Sequence, residues 1–283
     1  MPMIQVPTAH HATINLYYED YGSGQPIVLI HGWPLTHRAW EGQVQHLVES
    51  GYRVISYDRR GFGQSDKPWE GYDYDTLSAD LKGLIDTLEL EDAIIAGFSM
   101  GGGEVARYFG QFGAHKVSSA MLISAATPFM LKTDDNPNGV DMSVLDGMRE
   151  NVMNDRFAFI ASWREAFMSY ENNKGTISQE FLDFLWNQTL PALPKAMHDC
   201  ITAFGETDFR EDLSKIDVPV LVVHGTDDQI CTAEACAQES MKHLKHGKLE
   251  LIDRAPHGLN VTHKDELNEL MTGFLEQKLN MAS

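Results

Sequence analysis

The residues best equipped for chemistry are Gly97-Phe98-Ser99-Met100-Gly101, a serine with a glycine two positions to either side. A serine hydroxyl is a weak nucleophile at neutral pH; it becomes effective when a histidine takes its proton and a carboxylate orients that histidine. The chemistry of such a relay is acyl transfer through a covalent acyl-serine. The surroundings of Ser99 fit it. Residues 93–96 form a short apolar run of the buried-strand kind, and the chain from Glu104 reads as a helix, so the serine falls on a strand-to-helix turn. Glycines at 97 and 101 remove Cβ atoms that would collide in so sharp a turn and leave Ser99 Oγ at its tip. The helix start also aims unpaired N–H groups and partial positive charge at any oxyanion formed beside Ser99. The plain alternative, a glycine-rich turn with an incidental serine, does not require that context.

In an open α/β sheet the partners of the serine stand on loops at the C-terminal ends of later strands, first the acid and then the histidine. Of twelve histidines, His257 is the best placed, in Asp253-Arg254-Ala255-Pro256-His257-Gly258 after the last apolar run. A lone histidine is more often structural than catalytic; position and chain order single this one out. The acid should follow the apolar run 218–223, where Asp227 and Asp228 are adjacent. Residue chemistry alone leaves both open, one of them being a solvated turn residue. Two backbone N–H groups are expected to form an oxyanion hole: that of Met100, and that of Trp33 on the loop after Ile30, because Pro34 has none. His31-Gly32 reads as a plain strand-ending turn.

The elements that must position these groups alternate strand and helix. Residues 13–21, Pro26–Ile30 and Arg53–Tyr57 read as strands, with Gly22-Ser23-Gly24 turning the first into the second. Trp40, Val44, Leu47 and Val48 mark one helical face, and Leu77, Leu81, Leu84, Ile85 and Leu88 another. A strand is expected over 116–125. The pattern then changes: 129–208 is rich in Phe, Met and Trp at helical spacing, with no strand, and reads as a helical cap inserted between core segments 1–128 and 209–283. The sheet resumes at 218–224, followed by a helix from about Ala233, a strand at 248–252 and a last helix buried through Leu267, Leu270, Met271, Phe274 and Leu275. The expected fold class is α/β, a mostly parallel, doubly wound sheet carrying a helical cap. Pro34, Phe129, Met130 and Ile230 follow strand ends and are expected to line the substrate pocket, although burial in the core would place the same residue types there.

Composition narrows the partners. Lys and Arg number 22 against 41 Asp and Glu, a net charge of −19, which argues against nucleic acid or an anionic membrane and otherwise reads as solubility. No apolar run reaches the roughly 18 residues of a membrane span. The start of the chain lacks the basic and apolar regions of a secretion signal. Cys200, Cys231 and Cys236 are odd in number and lack metal spacing, so ordinary thiols in the cytoplasm are expected. Gly61-Phe62-Gly63 lacks the third glycine of a dinucleotide site, and His10-His11 and His243-x-x-His246 lack companions at metal-ligand spacing. No metal or cofactor is expected. A homo-oligomer is possible on the sequence, which does not decide it.

Taken together, His31-Gly32-Trp33-Pro34, Asp58-x-Arg60-Gly61-x-Gly63-x-Ser65, Gly97-Phe98-Ser99-Met100-Gly101-Gly102-Gly103, His224-Gly225-x-x-Asp228 and Ala255-Pro256-His257-Gly258 resemble the α/β-hydrolase family, and within it the cofactor-free bacterial haloperoxidases, also called perhydrolases or aryl esterases. The likeness runs nearly end to end and includes residues 200–210. It implies Ser99 as nucleophile, His257 as base and Asp228, rather than Asp227, as orienting acid. It implies an esterase of small acyl esters that also passes the acyl group to hydrogen peroxide, the resulting peracid oxidising halides. Trp-Pro members are implied to lean toward peroxide. Proline at 34 pushes Trp33 toward extended backbone and so sets where the Trp33 carbonyl points. Two departures stand out. Asp227 replaces a usual glycine, and a carboxylate there can raise its neighbour's pKa; Cys231 stands at the pocket edge where a Val-Pro-like pair is usual. Serine at 99 excludes the Asp-nucleophile dehalogenases and epoxide hydrolases of this fold. Lactonases and other serine hydrolases remain compatible, as does a non-catalytic small-molecule-binding module on the same scaffold.

Overall fold

Apolar runs of five to seven residues, each closed by turn residues, become the centre of one sheet. The computed structural model describes residues 2–7, 13–173, 175 and 177–282; His10 and His11 lie outside them. In chain order the elements are β1 (Met3–Pro7), β2 (Thr13–Gly22), β3 (Pro26–Ile30), α1 (Glu41–Glu49), β4 (Arg53–Tyr57), α2 (Tyr74–Thr87), β5 (Ala93–Phe98), α3 (Met100–Phe112) and β6 (Val117–Ile123). There follow α4 (Met142–Phe167), α5 (Gln179–Thr189), α6 (Pro194–Glu206), α7 (Arg210–Ser214), β7 (Val220–Gly225), α8 (Glu239–Met241), β8 (Gly247–Ile252), α9 (Leu259–Thr262) and α10 (Lys264–Ala282). Among the described residues the sheet has eight strands in the order β1-β2-β4-β3-β5-β6-β7-β8. The pairs β1/β2 and β2/β4 are antiparallel and the others parallel. Every residue of β3, β5 and β7 is buried, as expected where helices cover both faces of a parallel sheet and the strands read as continuous apolar runs.

The structure departs from the sequence reading in four places. Met3–Pro7 was given no element, yet Ile4 and Val6 alternate inward and the segment pairs with β2 at the sheet edge. The strand expected over 116–125 is shorter, because Lys116 and Ser124 take positive φ of 57° and 43° at its two ends. The helix expected from Ala233 opens as a single π-helical stretch, Glu234–Gln238, before α8. The segment expected to be helical from residue 129 starts as a loop instead. Backbone bridges Leu131–Val140 and Thr133–Asn136 close it, and the Asn136 amide donates to the carbonyls of Phe129 and Leu131, both at 2.8 Å. Helices begin only at Met142. Within α4, Asp155 leaves helical geometry (φ −152°, ψ 80°), and its carboxylate accepts the N–H groups of Phe157 and Ala158, restarting the helix as an N-cap would. Among the described residues no helix is long and apolar enough to cross a membrane.

Candidate active site

Ser99 sits between β5 and α3 with φ 53° and ψ −119°, a backbone conformation that side-chain-bearing residues seldom adopt. The two flanking glycines make the turn possible. A Cβ on Gly97 would stand 2.3 Å from the Gly101 carbonyl oxygen, and one on Gly101 2.5 Å from that of Ile30. The turn is fixed on its other side by the Ser99 N–H, which donates to the Ile123 carbonyl at the end of β6 (2.9 Å), and by the Ser99 carbonyl, which accepts from Ala126 (3.1 Å).

His257 reaches this serine from the loop after β8, its Nε2 2.9 Å from Ser99 Oγ and its Nδ1 2.7 Å from Asp228 Oδ2. The carboxylate fixes the tautomer: Nδ1 donates to Asp228, which leaves Nε2 free to accept the serine proton. The ring lies between Phe98 and Phe167, with centroids 5.4 and 5.2 Å away. The next residue, Gly258, donates its N–H to the Phe167 carbonyl at 3.0 Å, so the end of α4 holds the histidine loop.

Asp228 stands at the end of the loop after β7. Its Oδ1 accepts the N–H groups of Ile230 (2.9 Å) and Cys231 (2.8 Å), while Oδ2 also faces His224 Nε2 at 3.1 Å. Burial pushes the Asp228 carboxyl up, but the facing charge of His257 and the hydrogen bonds from His224 and His257 outweigh it. The net position is well below the usual carboxylate range. The carboxylate of Asp227 turns away from the relay. It accepts from the Asn172 amide at 2.9 Å, while the Asp227 carbonyl accepts from Ser169 Oγ at 2.9 Å. The expectation that Asp227 raises its neighbour is therefore corrected: its charge points toward solvent and the loop after α4.

A cavity of about 260 Å³ opens on Ser99 and His257. Trp33 and Met100 border it, which places the loop after β3 and the first turn of α3 on either side of the serine. The Trp33 indole donates to the Met197 carbonyl at 3.1 Å and meets Trp163 and Phe204 edge-on, centroids 5.6 and 5.9 Å apart. The loop after β3 thus meets α4 and α6 in an aromatic wall. Met130 and Ile230 line the cavity. Phe129 and Pro34 do not, and both assignments are corrected. Phe129 instead lies under the Arg210 guanidinium, which is 5.4 Å from its ring centroid. Pro34 is buried behind Trp33 in a turn closed by the Leu35 N–H on the Gly32 carbonyl (3.0 Å); the Trp33–Pro34 peptide is cis. The wall residues Leu145, Phe159, Trp163 and Phe204 were not singled out from sequence, because helical spacing of Phe and Trp looks alike for a core face and a pocket face. A groove of about 610 Å³ beside β2 and α1 is roomier, but its histidine, His37, is held by Asp58 at 2.7 Å and bonds no hydroxyl among the described residues.

Behind the serine lies a buried ionic network. Glu104 of α3 accepts from Arg59 Nε at 2.6 Å and from the Tyr57 hydroxyl, and Arg59 Nη2 donates to the His31 carbonyl at 2.7 Å. The Arg59 N–H donates to His31 Nε2 at 3.0 Å, and the His31 Nδ1–H donates to the Gly32 carbonyl at 2.8 Å. His31, read as a mere turn residue, in fact ties the Trp33 loop to the strand-end loop of β4.

A sheet of this order, with a serine on the turn after β5 and its acid and histidine after β7 and β8, defines the α/β-hydrolase class. The chain belongs to that family: its model, described as alpha/beta hydrolase fold, matches residues 25–264. The chain is 40% identical to a non-heme chloroperoxidase of Streptomyces lividans, over 93% of this chain and 96% of that one. It is 34% identical to a bifunctional esterase/perhydrolase of Acinetobacter calcoaceticus, with the same two coverages. The crystal structure of a bromoperoxidase from Bacillus anthracis superposes with a TM-score of 0.93 at 43% identity, covering 97% of this chain and all of that one.

Proposed function

We propose that the chain is a serine carboxylesterase of small acyl and aryl esters that also transfers its acyl group to hydrogen peroxide, forming peracids and through them oxidising halides. The observation that carries the reading is the continuous relay Ser99 Oγ–His257–Asp228, at 2.9 and 2.7 Å, opening into a small apolar cavity. The names of the relatives support the peroxide branch.

Ser99 Oγ attacks the ester carbonyl as His257 Nε2 takes its proton, and Asp228 stabilises the imidazolium that forms. The oxyanion would be held by the N–H groups of Trp33 and Met100, each worth about 3 kcal/mol of transition-state stabilisation. His257 then gives the proton to the leaving alcohol. Water or hydrogen peroxide next attacks the acyl-serine with His257 again as base, releasing a carboxylic acid or a peracid. The Trp33 carbonyl, set by Pro34, would accept a hydrogen bond from peroxide and favour the second outcome. Side chains and backbone carry every step, so no cofactor enters the proposal. The net charge of −19 supports a small-molecule partner over nucleic acid. Three buried, unpaired cysteines support a reducing compartment, the cytoplasm.

The test is phenyl acetate turnover with and without hydrogen peroxide, phenol and peracetic acid being measured together, with Ser99→Ala as control. Phenol alone would leave a plain esterase and remove the role given to Pro34. No phenol from phenyl acetate and no ring opening of lactones would remove the enzymatic reading.

A further inference from the structure

Three sulfur atoms meet in the wall of the Ser99 cavity. Met130 Sδ lies 4.0 Å from Cys231 Sγ and 3.7 Å from Cys236 Sγ, and Met130 and Cys231 both line the cavity. The three side chains form, with Ala126, a small buried cluster apart from the main core. Cys231 is also part of the acid loop. Its N–H donates to Asp228 Oδ1 at 2.8 Å and its carbonyl accepts from His224 Nε2 at 2.6 Å.

A peracid made at Ser99 is released into this same cavity, and a peracid is an electrophilic oxygen donor. We propose that Met130 is a modification site at which the enzyme's own peracid transfers one oxygen to the thioether, lowering activity as peracid accumulates. The proposal rests on the perhydrolase reading. The Met130 Sδ lone pair attacks the outer peroxy oxygen; the S–O bond forms as the O–O bond breaks, and the peroxy proton passes to the departing carboxylate oxygen. The products are methionine sulfoxide and a carboxylic acid. Sulfur loses two electrons and the peracid gains them.

Cys231, the thiol that lines the cavity, is not the first acceptor. The hydrogen-bonded Cys236 thiol and burial push the Cys231 thiol well above its ordinary pKa, and a thiol that stays protonated is a poor nucleophile. A thioether needs no ionisation. Met100 and Met148 also border the cavity, but Met130 is the one whose sulfur already faces S–H groups. Those groups are placed to donate to a sulfoxide oxygen, which would otherwise be a buried, unsatisfied acceptor. A sulfoxide bonded to Cys231 pulls on the residue that donates to Asp228, and it adds a polar group to an apolar wall.

The exposed methionines provide an internal control. Met153 is 61% exposed and Met142 39%, whereas Met130 is 7% exposed. Oxidant acting from bulk solvent modifies the exposed residues first; oxidant released at Ser99 modifies Met130. Wild type is incubated with phenyl acetate and hydrogen peroxide, peracetic acid is assayed in the medium, and each methionine peptide is weighed for a gain of one oxygen. Peroxide alone, and Ser99→Ala with both reagents, are run alongside. The expected result is Met130 oxidation on the order of tenfold above the peroxide-only sample, ahead of Met153, and no higher in Ser99→Ala than with peroxide alone. The initial rate of the treated enzyme falls in step with it. Met130→Leu, compared with its own untreated rate, resists that fall; if the variant does not fold, the wild-type peptides still decide. Peracetic acid in the medium with Met130 unmodified, or modified later than Met153, or equally modified by peroxide alone, overturns the proposal and leaves the perhydrolase standing. Absence of peracetic acid removes the perhydrolase reading and this proposal with it.

Discussion

His224 Nε2 stands 3.1 Å from Asp228 Oδ2, the oxygen that meets His257 Nδ1 at 2.7 Å. Two buried histidines therefore converge on one carboxylate oxygen, and one of them also meets the serine. The second neighbour of His224 Nε2 is the Cys231 carbonyl at 2.6 Å. Both neighbours are acceptors, so Nε2 is the nitrogen that carries the proton. Nδ1 is buried and has no partner among the described residues. His224 is a positioning residue: it holds the acid and the turn of chain that donates to it.

Replacing His224 by Leu removes a hydrogen bond to a charged group, worth about 1.5–3 kcal/mol. The depressed pKa of Asp228 contributes stability that is present above the ordinary carboxylate value of about 3.9 and is lost as pH falls through the native value. His224→Leu moves that native value upward, so the variant should unfold at a higher pH than wild type during acid titration. Its kcat should fall about tenfold with a smaller change in KM, because the lost contact serves the relay and not substrate binding. An unchanged acid-unfolding midpoint would mean that the His224 contact contributes nothing to holding the carboxylate.

His31 is a buried group that stays neutral, and its pH dependence has the same sign as that of Asp228. Burial and then the charge of Arg59 push it down from its ordinary value to about 3. Between roughly pH 6.5 and that value the unfolded chain binds a proton that the native state refuses, so stability drops as pH falls, by up to about 1.4 kcal/mol per unit. Urea midpoints from pH 7 to 4 should decline in wild type, and more gently in His31→Gln. Parallel declines would show that His31 is not the group responsible.

The alternation of strand and helix from β2 onward and the turn around Ser99 were legible in the sequence because they rest on local signals: apolar runs and glycines at fixed offsets. The pairing of Ser99 with His257, 158 residues apart, could be anticipated from the order of loops but not measured. Asp227 and Asp228 show the limit. They are adjacent and carry the same group, and only the backbone of the loop after β7 turns one toward His257 and the other toward Asn172. The edge strand β1 escaped notice because five residues ending in proline give little periodicity. The cap lining escaped because the spacing that buries Trp163 against Phe167 also presents it to the cavity.

Phe204 and Phe129 make a matched pair for substrate size. Phe204 lines the cavity against Trp33, whereas Phe129 lies outside under Arg210. Phe204→Ala should raise the preference for butyrate over acetate esters of p-nitrophenol about tenfold, as expected when a side chain stops excluding a few methylenes. Phe129→Ala should leave the ratio of kcat/KM values unchanged. A shift of equal size in both would place the acyl group elsewhere than the cavity beside Trp33.

Ser99 holds a strained backbone in order to present its hydroxyl, and the strain has a measurable counterpart. A positive φ of 53° with ψ −119° costs a residue bearing a Cβ about 1–3 kcal/mol, whereas glycine adopts such angles freely. Ser99→Ala and Ser99→Gly both delete the proposed nucleophile, and each should lower kcat on the order of 10⁶-fold by analogy with other serine triads. They differ in stability. Glycine gives back about 0.5–1 kcal/mol through the greater freedom of the unfolded chain, so Ser99→Gly should exceed Ser99→Ala by about 1 kcal/mol in urea denaturation. An alanine variant as stable as the glycine variant would show that the turn relaxes when the hydroxyl is gone, and that the conformation at Ser99 is held by the bond to His257 rather than imposed by the packing of β5 against α3.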